Sequence, residues 1–290
     1  MYRITICTVA YPQPELRVRQ FAQAAARAVA AMPDAAILIV AEARYPRPDL
    51  GDLQTLDTRL HYVDTDAVGA AALRGKLFAA ARRFPTEGLM FIDYDDMIIA
   101  DALPRMSDAL SSAPIAYGDL LVTDENGNSG STLAFGADEL PSRIDQAEML
   151  FDGNCLGLSN TAVRRDILLE EDERVPAGLV AVDWWLFTRL LLRGHAAVAV
   201  EGPVAAYRQY AGNTLGAQGK LTLAGLQGRL AALQAHYRSF APAEWARQRL
   251  DLVVGCDGDL AALMQAVQAR NGSRWWFGNV MSAAQQLARK

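Results

Sequence analysis

A chain of 290 residues with 51% hydrophobic and 21% charged positions can bury a large core, as one sizeable domain or a domain with an appendage, and excludes a disordered polymer. Its net charge of -5 lacks the surplus of lysine and arginine that a general nucleic-acid binder needs for phosphates, so no nucleic-acid partner is expected. Three scattered cysteines, Cys7, Cys155 and Cys256, have no metal-ligand spacing and suit a reducing compartment.

The chain runs directly into residues 4–9, an apolar stretch that reads as a buried strand with no signal-peptide pattern ahead of it. No apolar run is long enough to span a bilayer. The expectation is a cytoplasmic protein, with peripheral contact at the inner face of the cell membrane compatible with it. Residues 10–14 form a loop, and residues 16–32 carry Phe21, Ala25, Ala28 and Met32 at helical spacing. A second strand covers 36–40 and ends at Glu42, with Pro46 and Pro48 in the loop beyond. After a short strand at 61–63 and a small-residue helix at 68–82, residues 89–92 form a strand that stops abruptly at Asp93-Tyr94-Asp95-Asp96. Strands alternating with helices predict an α/β fold with a Rossmann-like, mostly parallel, doubly wound sheet. Ligands bind at the carboxyl ends of such strands, where Thr8, Glu42 and the acids fall.

Clustered carboxylates raise one another's pKa unless a cation neutralises them. Mg²⁺ and Mn²⁺ prefer oxygen ligands, and Mg²⁺ commonly takes one or two carboxylates plus substrate phosphate oxygens. Asp93 and Asp95 are the candidate ligands, and on an extended backbone they would point the same way.

Further on, residues 116–122 read as a strand and 123–128 as a turn with an Asn-Gly signature. Residues 161–168 read as a helix. Residues 182–192 form an apolar helix with Asp183 in its opening turn and Gly194 ending it, and a strand follows at 196–200. From about residue 216 the pattern becomes helical, with Leu223, Leu226, Leu230, Leu233 and Tyr237 in a stripe and further helices at 243–254 and 260–270. The cluster Trp275-Trp276-Phe277, flanked by Arg274, Arg289 and Lys290, reads as a packed terminal helix; the sharper reading is contact with a membrane interface or a second copy in a homodimer. His61, His195 and His236 sit in no motif and are expected to be structural.

Five ordered segments resemble the nucleotide-sugar glycosyltransferases of family 2, with the GT-A fold, and more narrowly their rhamnosyltransferase-like branch. They are the opening residues 4–11, the segment 69–76 with Arg74 at the family's Arg position, the acids of 91–96, Asp183-Trp184-Trp185-Leu186, and Tyr207-Arg208-Gln209-Tyr210 continuing to Ala217. The resemblance implies a glycosyltransferase domain over 1–216 and a helical C-terminal extension over 217–290. Three departures stand out: Ala41-Glu42 replaces a pair of Asp residues, Gly75 an Asn, and Tyr210 a His. A neutral phenol is a poor Mg²⁺ ligand.

By that resemblance the donor is a dTDP- or UDP-linked sugar, rhamnose first, and the acceptor a saccharide of a bacterial surface glycan, lipid-linked or free. Thr8, Ala10, Glu42, Arg74, Asp93, Asp95 and Arg208 would bind the donor, with the metal on Asp95 and Asp93. Asp183 would be the general base, and Trp184, Trp185 and Asn154 would face the acceptor. A base on the side opposite the leaving group implies inversion at the anomeric carbon. Two rival readings are a catalytically inactive relative that binds glycans or partners, and a nucleotidyltransferase. The latter would normally carry a Gly-rich, basic phosphate loop after the first strand, which residues 10–14 lack.

Overall fold

A strand that is apolar on both faces must be covered on both. In the computed structural model, which describes residues 1–44, 47, 50–136, 139–168, 174–210, 221–269 and 275–289, the strand Ala35–Glu42 is buried along its whole length. It is β2, after β1 (Tyr2–Ala10) and α1 (Glu15–Ala30). Then come β3 (Leu60–Thr65), α2 (Ala70–Arg83), β4 (Thr86–Phe91), β5 (Met97–Ile98), α3 (Ala102–Leu110), β6 (Ile115–Thr123), β7 (Ser129–Leu133) and β8 (Arg143–Ile144). The order continues with β9 (Thr161–Arg164), α4 (Arg165–Leu168), α5 (Val182–Leu192) and β10 (Ala197–Arg208). Four helices follow: α6 (Leu223–Ser239), α7 (Glu244–Gly255), α8 (Leu260–Gln268) and α9 (Gly278–Leu287).

These strands form one sheet in the order β3-β2-β1-β4-β9-β6-β10-β5, with β7 on β6 and β8 on β10. The long pairings β1 with β2, β1 with β4, β2 with β3 and β6 with β10 are parallel. Because β9 is antiparallel to both β4 and β6, those two strands run the same way. Six strands therefore deliver their carboxyl ends to one edge. The strand order reverses between β1 and β4, and that switch point is where an open α/β sheet leaves a crevice.

Residues 161–168, expected as a helix, divide into β9 and the single turn α4. β-branched Thr161 and Val163 fit the slot between β4 and β6, and this pairing overrides the local helical pattern. The helix α3 lies in a stretch to which the sequence pattern assigned no element. Helix α5 is apolar on nearly every face, as a core helix is. It ends as expected at Gly194, whose φ of 82° turns the chain so that the His195 N–H reaches back to the Leu190 carbonyl at 3.2 Å, beside the bond from the Gly194 N–H to the Leu191 carbonyl at 2.8 Å.

The boundary expected at 216–217 lies outside the described residues, as do residues 211–217 of the last motif, Pro46, Pro48, Arg274 and Lys290. On its far side the helices share a core with α5. The Trp184 indole is fully buried, stacked on His236 at 3.7 Å and on Phe277 at 4.9 Å between ring centroids. Its N–H donates to the Leu150 carbonyl at 2.7 Å. Trp275 donates to the Glu139 carbonyl at 2.9 Å, so the terminal aromatic cluster packs on the body of the protein. No helix among the described residues is long and apolar enough to cross a membrane.

His236 is fully buried, and its ring nitrogens have no hydrogen-bond partner among the described residues. Burial lowers its pKa from 6.5 to about 3, so between those values the unfolded chain holds the extra proton and stability rises with pH. Replacing it should remove that dependence. His236→Phe, compared with the wild type by urea unfolding, should be favoured by about 2 kcal/mol more at pH 5 than at pH 8. An equal difference at both pH values would show that no proton is excluded by folding.

Candidate active site

At the end of β4 the chain keeps one more sheet bond, from the Ile92 N–H to the Cys7 carbonyl at 3.1 Å, and then turns. The Asp96 N–H closes that turn on the Asp93 carbonyl at 3.0 Å. The acids thus sit in a turn, and the alternation expected of an extended strand does not set their directions. Each finds a different partner. Asp93 Oδ1 accepts from Arg74 Nη2 at 2.7 Å. Asp95 accepts from two phenols, Tyr210 at 2.7 Å and Tyr11 at 3.2 Å. Asp96, almost wholly buried, accepts from the Ser159 hydroxyl at 2.5 Å and from the Arg208 N–H at 2.9 Å.

Burial raises the pKa of Asp95 first and the charge of Asp93 raises it further. Asp96 is raised by burial and then by Asp95 and Asp93. The phenols remain donors throughout the physiological range. Burial, then the bond to Asp95, pushes Tyr210 up to about 12. The Arg17 guanidinium lies over the Tyr210 ring at 3.7 Å and holds it in place.

Arg208, expected on the donor phosphates, is instead fully buried. Its Nε donates to the Asp95 carbonyl at 2.7 Å, Nη1 to the Glu125 carbonyl at 3.0 Å and Nη2 to Gln20 Oε1 at 2.8 Å. A planar fork with several fixed donors suits such a clamp. The residue secures the acid turn from behind and is not among the described residues that line the cleft in front of it.

In front of the turn opens a cleft of about 770 Å³. Asp93, Asp95, Arg74 and Asp183 all line it, as do Tyr11, Tyr210 and Trp276. Asp183 enters from the first turn of α5. Burial raises its pKa to about 6 against the opposing charge of Arg74. Burial also works against the Arg74 charge, but Asp93 more than offsets this and keeps the guanidinium protonated.

Several expected contacts are corrected. Trp184 and Trp185 are 0% and 1% exposed and offer no face to a sugar. An apolar helix end buries its aromatics beneath the one acid that reaches the cleft. Asn154 is 1% exposed; its side chain bonds the backbone of Leu156 in both directions at 3.0 Å, and its amide reaches Asp183 Oδ2 at 3.4 Å. It positions the acid from below. Thr8, Ala10 and Glu42 are buried at the ends of β1 and β2 and are not among the residues lining this cleft. Glu42 pairs with Arg44 at 2.8 Å.

The sequence reading missed Tyr11, Ser159 and Trp276. Tyr11 follows β1 at the switch point, a position that could have flagged it. Ser159 and Trp276 reach the site only through the tertiary fold.

Among the described residues, no group of three or more His, Cys, Asp or Glu side chains is arranged to hold a metal by itself. Asp93 and Asp95 nevertheless fit Mg²⁺ or Mn²⁺ in donor chemistry. They are hard carboxylate oxygens in a partly dry turn where extra positive charge would relieve their repulsion, and phosphate oxygens would complete the shell.

No protein-family model matches the chain, and no curated protein matches it in sequence. Solved structures match in fold. S. aureus TarS residues 1–349 superposes with a TM-score of 0.56 at 13% identity, over 100% of this chain and 92% of that one. The same TarS fragment is also solved with UDP-GlcNAc, with a TM-score of 0.52. The mannosyltransferase PcManGT from Pyrobaculum calidifontis, in complex with GDP-Man and Mn²⁺, gives 0.54 at 14% identity, over 99% of this chain and 75% of that one. The chain is thus an α/β protein with the fold of these glycosyltransferases.

The clamp makes a testable demand on stability. Arg208→Met keeps the bulk but leaves the Asp95 and Glu125 carbonyls without their donor, at about 1–3 kcal/mol for each buried unsatisfied group. We expect a thermal midpoint several degrees lower, measured by calorimetry; an unchanged midpoint would show that the clamp adds nothing.

Proposed function

We propose that the protein is an inverting glycosyltransferase that moves a sugar from a nucleoside diphosphate to a saccharide hydroxyl. One observation carries this reading: a single cleft at the carboxyl ends of the strands, in a fold shared with glycosyltransferases, holds the Asp93/Asp95 pair, Arg74 and a separate acid, Asp183. The Mn²⁺ and GDP-Man of PcManGT and the UDP-GlcNAc of TarS support a nucleotide-sugar donor and a divalent metal. The ordered motifs favour a dTDP- or UDP-linked sugar, rhamnose first, and a bacterial surface glycan as acceptor.

The chemistry follows from the groups present. Asp183, ionised, takes the proton of the acceptor hydroxyl as its oxygen attacks the anomeric carbon. The bond from that carbon to the β-phosphate oxygen breaks, and the nucleoside diphosphate leaves with the electron pair. Attack from the face opposite the leaving group inverts the centre. Asp95 and Asp93 would hold Mg²⁺ or Mn²⁺, which when bound offsets the charge growing on the leaving diphosphate. Arg74 lies beside Asp93 and can donate to a phosphate oxygen in the cleft. Tyr210, where the related branch has His, orients Asp95 by donating to it; it needs no metal bond of its own.

Since the base works only when ionised, and its pKa is raised to about 6, kcat/KM should fall about tenfold per pH unit below that value. Asp183→Asn should lose about 10²–10⁴-fold in transfer, the usual contribution of such a base, with UDP and dTDP affinity nearly unchanged. A fully active variant would remove the mechanism. Asp95→Ala should instead weaken nucleotide binding, and only in the presence of Mn²⁺. Titration calorimetry of UDP and dTDP with and without Mn²⁺ reads this directly, and a wild type that binds neither nucleotide would favour an inactive binding protein. Thermal stabilisation across a panel of nucleotide sugars would then identify the donor.

A further inference from the structure

Among the described residues, Trp276 is the part of the C-terminal helical region that lines the cleft. Its backbone pairs with Asn154 in both directions at 2.9 Å, and the Asn154 side chain is the one that reaches Asp183. The indole stands edge-on to Phe135 and Tyr207, with centroids 5.1 and 6.1 Å away. It also lies over Gly157, where a Cβ would come within 2.7 Å of its Cη2. The neighbouring Phe277 adopts a φ of 68°, a conformation that a bulky residue pays for with about 1–3 kcal/mol. That reversal sends Phe277 into the core against Trp184 and leaves Trp276 facing the cleft. Trp276 is half-buried, whereas Trp184 and Trp185 are closed off.

A flat aromatic wall beside a carboxylate suits a pyranose, whose C–H face packs on the ring while its hydroxyls meet polar groups. We propose that Trp276 is the acceptor-side wall of the cleft, stacking on a sugar ring whose hydroxyl faces Asp183, so that the C-terminal region selects the acceptor. The inference rests on the glycosyl-transfer reading. It places the wall on the acceptor side because Trp276 is tied through Asn154 to the acid that faces the acceptor.

The test uses the full chain, ¹⁵N-labelled and saturated with UDP and Mn²⁺, titrated with methyl glycosides of glucose, galactose, mannose, rhamnose and N-acetylglucosamine. Loss of one indole N–H resonance in Trp276→Phe identifies the signal. At least one glycoside should move it. Trp276→Ala should weaken that glycoside at least tenfold with UDP affinity within twofold of wild type, and Trp276→Phe should recover most of the loss. Gly157→Ala, which displaces the indole without deleting it, should weaken the same glycoside. A glycoside that binds Trp276→Ala as tightly as the wild type overturns the proposal. So does a Trp276 signal that stays still with every glycoside while UDP binds, an outcome that leaves the glycosyl-transfer reading intact. Where UDP does not bind, dTDP replaces it in the same titration; failure of both nucleotides to bind would sink that reading, and this inference with it.

Discussion

Three carboxylates within four residues, in a turn partly shielded from water, repel one another, and the architecture around the site answers that repulsion. No single counter-charge does it. Asp93 has a guanidinium, Asp95 two phenols, and Asp96 a serine hydroxyl and a backbone amide. These donors come from α2, from the loop after β1, from the segment before β9 and from the end of β10. The turn is therefore a knot joining elements distant in sequence. Arg208 tightens it by bonding the carbonyl of Asp95 on one side and the loop after β6 on the other. A buried guanidinium is costly unless its donors are used, and here its three described bonds run to oxygens of the protein.

From that knot the electrostatics spread across the cleft. Arg74 is paired with Asp93 yet close enough to Asp183 to hold its pKa down against burial. The two halves of the proposed chemistry, leaving-group stabilisation and proton removal, are thus coupled through one side chain. A diphosphate or cation arriving at Asp93 would change the field Arg74 exerts on Asp183. Tuning by a shared neighbour is a common way for a carboxylate to work near neutral pH.

The fold was largely legible because its signals are local: apolar runs at 4–9, 36–40 and 89–92, small-residue helices between them, and a glycine that stops α5. The acids announced themselves by standing where a buried strand ends, and Asp183 by opening an apolar helix. What could not be read was direction. Arg208 and the two tryptophans after Asp183 have residue types that suit phosphate and sugar, yet all three point into the core. Whether a side chain on an element faces cleft or core depends on what packs against it. For Trp184 that partner is His236, 52 positions away by residue number. The strand β9 was misread for the same reason, since its neighbours β4 and β6 are supplied by other parts of the chain.

This also bears on the helices after β10. Sequence character alone makes them an appendage, a change from alternating α/β to all-helical. Their aromatic residues tie them to the sheet-bearing part, because the Trp184 ring on α5 stacks on His236 of α6 and on Phe277 just before α9. Burying rings of this size contributes about 1.5–3 kcal/mol each, enough to fix the first turn of α5 from behind. The acid at that turn is then aimed by residues far beyond the expected boundary. The left-handed Phe277 puts its own ring into that core and places Trp276 at the opposite face of the same packing unit. A residue free to relax would shed that strain, so the conformation persists because the Phe277 ring packed on Trp184 and the Trp276 backbone paired with Asn154 hold it from both sides.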